Sequence, residues 1–407
     1  MFSVKTPDEV VDMIYTRFGN ADLKSERADL VNACGRILAQ DIVADTYVPD
    51  FDRSTVDGFA VRASSTFGCS DSMPTLMRVS GRVAMGTRPD EPLEPGCCVS
   101  VPTGGAVPEG ADAVVMLEHT EDYGRGEIGV CRAAAPGENI IFRGDDVFPG
   151  KTVLRAGRML NPADIGALAA MGYEHAPVYK KPTAGIISTG DELVSAKAVP
   201  GGGQVRDVNS SMLAAALSSY GAVPVQYGII RDDAELLRGA VSRAVRECDI
   251  VLISGGSSVG TMDATRRVLE ESGEILFHGI AMKPGKPAML AKVAGKPVFG
   301  LPGHPVAAYF GAELFVSYTI GVLMGRELTS HSVRAYLSEP VSANDGRALY
   351  MGVFLEKRDG VLIAVPARGK SGLITRLAGC DGFLCVPRDC EGFSGGTEVT
   401  VTLYGIH

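Results

Sequence analysis

The chain is poor in histidine, in paired cysteines and in positive charge, and each shortage removes a class of function. Its 407 residues include six histidines. None is paired at metal-ligand spacing, which argues against a zinc hydrolase. Its nine cysteines form no C-x-x-C. Cys380, Cys385 and Cys390 are evenly spaced, but no second pair or histidine pattern completes a zinc site. All nine are expected as reduced thiols of a cytoplasmic protein. The formal net charge of -9 has the wrong sign for a nucleic-acid partner, although a few local lysines can still hold a small anion. No apolar run is expected to be long enough to span a membrane. The first fifteen residues carry acids at once and no apolar core, unlike a secretory signal.

What is abundant is glycine, with 50 residues, and proline, with 23. They imply many turns and much β structure, and the length implies several domains. Residues 7–40 carry helical periodicity. Thr6 caps the first helix, Pro7 occupies its first position, and a second helix follows over "SERADLVNACGRILAQDIVA". From about Tyr47 to Asp146, short apolar stretches alternate with Gly and Pro, as in an all-β module. Helix returns after Asn161-Pro162, so the β module reads as an insertion into a helical domain. From Lys181 to about residue 325, apolar strands alternate with amphipathic helices, one of them capped by Asn209. This pattern predicts βαβ units with a parallel sheet covered on both faces. The tail from about residue 330 reads as a small β-barrel or sandwich.

Ligands of an open α/β sheet bind beyond the carboxyl ends of its strands. Three segments reach that edge with polar endings: Ser188-Thr189-Gly190-Asp191-Glu192, Arg231-Asp232-Asp233, and the stretch from Ser254 through Gly255, Gly256, Ser257 and Ser258 to Gly260. The glycines let backbone N–H groups approach an oxyanion, and a helix N-terminus follows. Alternatively, Gly255 and Gly256 only make a tight strand-to-helix turn. Gly255 and Gly260 have Walker A spacing, but Thr261 stands where lysine is required, so ATPase and dinucleotide readings are weak. Carboxylates beside a phosphate site call for a cation, and oxygen ligands suit Mg²⁺. Asp191, Glu192, Asp232 and Asp263 are candidates, with Asp57, Asp145 and Asp146 in reserve; each could equally be a cap or a solvated turn. Lys283 and Lys286 flank Pro284-Gly285, a stiff turn able to aim two ammonium groups at one anion. His304, in "GLPGHPVAAYF", sits at a helix start, as a cap or packing residue or as a ligand.

Taken together, "STVDGFAVR", "VPTGGAVPEGADAVVMLE", "PGENIIFRGDD", "STGDEL", "DVNSSML", "GIIRDD", "SGGSSVG", "KPGKP" and "LPGHPVAA" resemble the molybdopterin molybdenumtransferase family, of the bacterial MoeA and gephyrin E-domain type. The resemblance runs over nearly the whole chain. It implies a multidomain α/β protein: an elongated helical domain (1–45 with 147–178), a β-rich insertion or lid domain (46–146), a three-layer α/β molybdopterin-binding domain (179–327) and a C-terminal β-barrel (328–407).

The resemblance further implies Mg²⁺-dependent insertion of molybdenum from molybdate into adenylylated molybdopterin, with release of AMP. It implies a homodimer whose cleft joins the α/β domain of one subunit to the insertion domain of the other. On this reading Asp191, Glu192 and Asp232 surround the Mg²⁺. Ser188, Thr189, Gly190, the 254–258 loop and Asp263 hold the pterin phosphates, and Lys283 and Lys286 draw in molybdate. Pro302, His304 and Arg347 complete the substrate site, and Asp57, Thr103 and Asp146 come from the partner subunit. An adenylyltransferase and acceptor molybdoenzymes are possible partners. The family loop usually reads "SGGVSVGDYD" and the later motif "LPGNPV". Here Ser257, Thr261 and His304 depart from them, as do Met351, Thr375 and Arg376 in the tail. These departures leave open tungstate in place of molybdate, and a binding or scaffold protein without turnover. A generic nucleotide-dependent transferase is a third reading and lacks the Walker lysine.

Overall fold

The computed structural model describes residues 4–19, 23–89, 91–255, 259–326, 330–343 and 346–404, with the side chains of 259–263 excluded. Gly256, Ser257 and Ser258 therefore lie outside the described residues, as do the side chains of Thr261 and Asp263. The chain divides into two compact units, one made of residues 1–26 with 179–407 and the other of residues 27–178.

In the first unit, the helix Pro7–Phe18 starts at Thr6 with a full capping box. Glu9 N donates to Thr6 Oγ1 at 3.3 Å, and Thr6 N donates to Glu9 Oε2 at 2.7 Å, satisfying two otherwise orphaned amides. A six-stranded sheet follows, in the order 223–230, 183–189, 250–255, 296–301, 289–293, 274–278. The first four strands are parallel, and the last two turn antiparallel. The sheet is thus mixed rather than wholly parallel as expected, because "AMLAKVAGKPVFGL" closes as a hairpin through Gly295 at φ +82°. The central strand Ile250–Gly255 is buried throughout, as an apolar run covered on both faces must be. The helix Ala234–Glu247 lays Leu237, Val241, Ala244 and Val245 on this core, with the i, i+4, i+7, i+8 spacing of one helix face. Its N-terminus is held by Asp233, which accepts from Glu235 N and Leu236 N.

Two expectations about helices are corrected here. The helix Val208–Ser219 is capped by Asp207, which accepts from Ser210 N at 3.0 Å, and not by Asn209, which is buried inside it. The segment Pro305–Leu323 has the length and hydropathy, 1.5, of a membrane span, contrary to expectation, but 78% of it is buried within the protein. Its π-helical turn Ala312–Val316 buries Glu313, which accepts from the Tyr220 hydroxyl at 2.7 Å. That hydrogen bond helps to satisfy a buried carboxyl group. The tail closes as a barrel. The strands run 282–283, 348–358, 361–366, 332–337, 398–403 and 382–386, and the last pairs back onto 348–358. Val353, Leu384 and Val401 fill its interior.

In the second unit, six short strands form one sheet in the order 113–116, 58–61, 97–101, 75–82, 127–130, 120–124, built over Met77, Cys98, Val115 and Ile128. The helix Pro162–Ala170 is capped by Asn161 as expected. The helix expected over residues 25–44 is not formed. Ser25–Asp29 is a strand and Leu30–Ala33 a single helical turn, stopped at Gly35, whose φ of +77° breaks the helical path. All nine cysteines are free.

Candidate functional site

The strand Thr183–Thr189 delivers Ser188 and Thr189 to the carboxyl edge, in register with Ser254 and Gly255 of the central strand. No side chain fits at Gly255. A Cβ there would lie 2.1 Å from the Thr189 carbonyl oxygen, so this glycine serves close strand approach rather than turn geometry. Thr189 Oγ1 donates to Asp232 Oδ1 at 2.9 Å, and Asp232 N donates to Asp191 Oδ1 at 3.3 Å. Gly190, at φ +153°, leaves room for the Glu192 carboxylate, whose Oε2 would sit 2.8 Å from any Cβ added there. The three expected acids therefore share one edge, and Asp233 beside them is only a helix cap. Among the described residues no group of three His, Cys, Asp or Glu converges tightly enough to hold a metal by itself.

Behind this edge lies a buried polar cluster. Asn209 Nδ2 donates to Ser254 Oγ at 2.8 Å and to the Gly303 carbonyl at 3.0 Å. Asn209 Oδ1 and Ser188 Oγ are both buried without a hydrogen-bond partner, which is costly unless something else supplies one. A cavity of about 260 Å³ opens here, bounded by Thr189, Glu192, Asn209, Ser254, Gly255 and His304.

His304 also lines a larger cavity of about 780 Å³. That cavity gathers Lys283, Lys286, Arg347, Lys370 and Arg376, and no acid is among its described lining residues. Pro302 and Met351 line it as well, together with Tyr350, whose burial raises its phenol well above the usual range and keeps it neutral. The lysine turn is anchored from the barrel: Met282 and Lys283 pair in parallel with Ala348 and Leu349, and Gly285 takes φ +119°. His304 precedes the helix Pro305–Gly311 but makes no side-chain cap. Its Nδ1 instead lies 2.9 Å from Ser371 Oγ, and Val306 N donates to Ser371 O at 3.1 Å. The loop of the α/β layer is thereby tied to the loop of the barrel. Sequence reasoning missed Asn209, Lys370 and Ser371. The first was signalled by "DVNSSML" and misread as a cap, whereas the other two stand in an unremarkable "RGKSG".

In the second unit, Asp57 and Thr103 meet. Asp57 Oδ1 accepts from Thr103 N at 2.7 Å and from Thr103 Oγ1 at 3.1 Å. Asp145 closes a local turn by accepting from Phe142 N at 2.8 Å. Asp146 is held through its backbone, with its amide donating to Val48 O at 3.1 Å and its carbonyl accepting from Lys151 Nζ.

Five cations thus line one cavity beside an acidic sheet edge, an arrangement suited to a multiply charged anion on an α/β layer. Three family models match in succession: the MoeA N-terminal region (domain I and II) over residues 5–172, a probable molybdopterin binding domain over 185–321, and the MoeA C-terminal region (domain IV) over 334–404. The molybdopterin molybdenumtransferase of Bacillus subtilis is 35% identical over 93% of this chain and 90% of its own length. Molybdopterin molybdenumtransferase 2 of Mycobacterium tuberculosis is 32% identical over 91% and 93%. A crystal structure of a molybdopterin biosynthesis MoeA protein from Pyrococcus horikoshii superposes with a TM-score of 0.86 at 35% identity, over 98% of this chain and 99% of that one. The chain belongs to the molybdopterin molybdenumtransferase (MoeA) family, transferases of molybdenum cofactor biosynthesis.

Proposed function

We propose that this protein inserts molybdenum from molybdate into adenylylated molybdopterin and releases AMP in an Mg²⁺-dependent step. The observation that carries the reading is the gathering of Lys283, Lys286, Arg347, Lys370 and Arg376 around one 780 Å³ cavity, joined through His304 to the acidic edge. Lys283, Lys286 and Arg347, with Lys370 and Arg376, would attract and hold the metal oxyanion. Ser188, Thr189, Asn209 and Ser254 would bind the pterin phosphate side, where Asn209 Oδ1 still lacks a donor.

The carboxylates of Asp191, Glu192 and Asp232 fit Mg²⁺ in chemistry, being hard oxygen ligands. Mg²⁺ is commonly held by one or two carboxylates together with substrate phosphates, and these acids share one edge with the strand ends that would meet those phosphates. When bound, the ion would neutralise phosphate charge as the linkage to AMP breaks. Thr189 orients Asp232 for that task. Asp57, Thr103 and Asp146 would complete the site from the second subunit of a homodimer, in the cytoplasm.

The test is AMP release from adenylylated molybdopterin, with and without Mg²⁺ and molybdate, in the wild-type protein and in Asp232→Asn. Release that requires molybdate and collapses in the variant is expected. Tight substrate binding without AMP release would replace the enzyme with a carrier.

A further inference from the structure

A second basic cavity lies at the opposite edge of the same sheet. It measures about 680 Å³ and opens where the parallel strands begin, at Thr183, at Asp249 just before Ile250, and at Lys296. Six cations line it: Arg17, Lys24, Lys180, Lys181, Lys292 and Lys296. Three have structural work. Arg17 pairs with Glu274. Lys292 Nζ donates to the Arg17 carbonyl at 3.4 Å, at the end of the first helix. Lys296 Nζ donates to the carbonyls of Val245 and Cys248, at 2.7 and 2.8 Å, where the helix Ala234–Glu247 ends. Such cations offset the negative end of a helix.

Lys24, Lys180 and Lys181 do nothing of the kind. They are exposed and have no ion pair among the described residues. The one acid in the described lining, Asp249, is already engaged: its Oδ2 accepts from both Thr183 N and Thr183 Oγ1 at 2.8 Å. The chain carries 48 acids against 39 lysines and arginines, so a concave surface with three unmatched lysines runs against its overall charge. Phe18, Pro182, Pro297 and Leu323 give the cavity an apolar floor.

We propose that this cavity binds a small phosphate-bearing ligand with an apolar or ring-shaped body, at a site separate from the candidate active edge. The volume falls within the range of small-molecule sites. Flexible lysines supply mobile point charges that suit phosphate, and a hollow of this size with an apolar floor takes a compact molecule rather than an extended chain. A phosphate-bearing ligand therefore fits better than an acidic peptide.

The test is calorimetric titration of the full-length protein with ATP, with inorganic pyrophosphate and with a poly-glutamate peptide. It compares wild type, the triple variant Lys24→Ser/Lys180→Ser/Lys181→Ser, and Lys283→Ala/Lys286→Ala in the other cavity. The Lys283/Lys286 variant is expected to retain a salt-sensitive site for ATP and pyrophosphate. The triple variant is expected to lose that site by at least about tenfold in affinity. Because all three lysines are exposed, the triple variant should keep the wild-type unfolding midpoint. Unchanged binding in the triple variant would overturn the assignment. So would tighter binding of poly-glutamate than of pyrophosphate, or no phosphate binding by the Lys283/Lys286 variant. None of these readouts depends on AMP release, so they stand or fall apart from the proposed reaction.

Discussion

Gly255→Ala isolates what the glycine of the central strand is for. A Cβ at this position meets the Thr189 carbonyl oxygen at 2.1 Å and Thr189 Cγ2 at 2.4 Å. The first contact falls short of ordinary van der Waals separation by about 1.3 Å, and a close-packed interior has no slack of that size. The obstacle is backbone in the adjacent parallel strand, so no rotamer change relieves it. The strands must separate at the Thr189–Gly255 pair, and the cost should fall in the upper part of the roughly 1–3 kcal/mol typical of overpacking. Separation also moves Thr189 Oγ1 away from Asp232, so AMP release should fall further than the stability loss alone explains. Gly202→Ala is the control, because nothing lies within 4 Å of its added Cβ. The chain has no tryptophan, so urea unfolding is followed by far-UV circular dichroism or tyrosine fluorescence. Equal unfolding midpoints for the two variants would refute the close-approach argument and return Gly255 to a plain turn.

Two further outcomes follow from buried groups. Asn209→Ala removes two hydrogen bonds and leaves the Gly303 carbonyl bare, so about 1–3 kcal/mol of stability should be lost. Asn209→Asp should cost more, because it sets a charge against that carbonyl; denaturation curves in which the aspartate variant is the more stable would contradict the assigned donors. Burial, with a smaller contribution from Cys97, pushes the Cys98 thiol up from 9.0 to about 12. Cys98 should therefore resist alkylation at pH 8.5 while exposed Cys34 reacts. The unfolded thiol ionises near its ordinary value and the folded one does not, so its effect on stability is flat below pH 9 and turns unfavourable as the pH climbs toward 12. Mass spectrometry of alkylated peptides and unfolding midpoints across that range check both statements.

Much of this was legible along the chain because local rules governed it. The box at Thr6 and Glu9, the Asn161 cap and the apolar run 250–255 each announce their structure within a few residues. The second helix failed because "ERADLVNACG" has helical spacing but is interrupted at Gly35 by a left-handed backbone. Asn209 failed for a different reason. Asp207, two residues earlier, is an equally good cap, and only the approach of Ser254 and Gly303 from 45 and 94 positions away assigns the asparagine to the interior. The acids divided in the same way. Asp232 and Asp233 are indistinguishable in sequence, yet one receives the Thr189 hydroxyl and the other closes a helix.

The basic cavity shows where local reading stops. Lys283 and Lys286 could be singled out because a Pro-Gly turn joins them, but two lysines in a turn are ordinary surface chemistry. What gathers them with three further cations is the barrel. The pairing of Met282 with Ala348 and of Lys283 with Leu349 brings Arg347, the residue just before Ala348, to the lysine turn. The loop bearing Lys370 and Arg376 is carried to the same place, with Ser371 latched to His304. Each of these cations is unremarkable alone. Brought together in one lining, they give the cavity a positive potential that none of them has alone. A multiply charged oxyanion is the natural counterweight, so molybdate or tungstate should stabilise the protein against unfolding, and more strongly at low salt than at high.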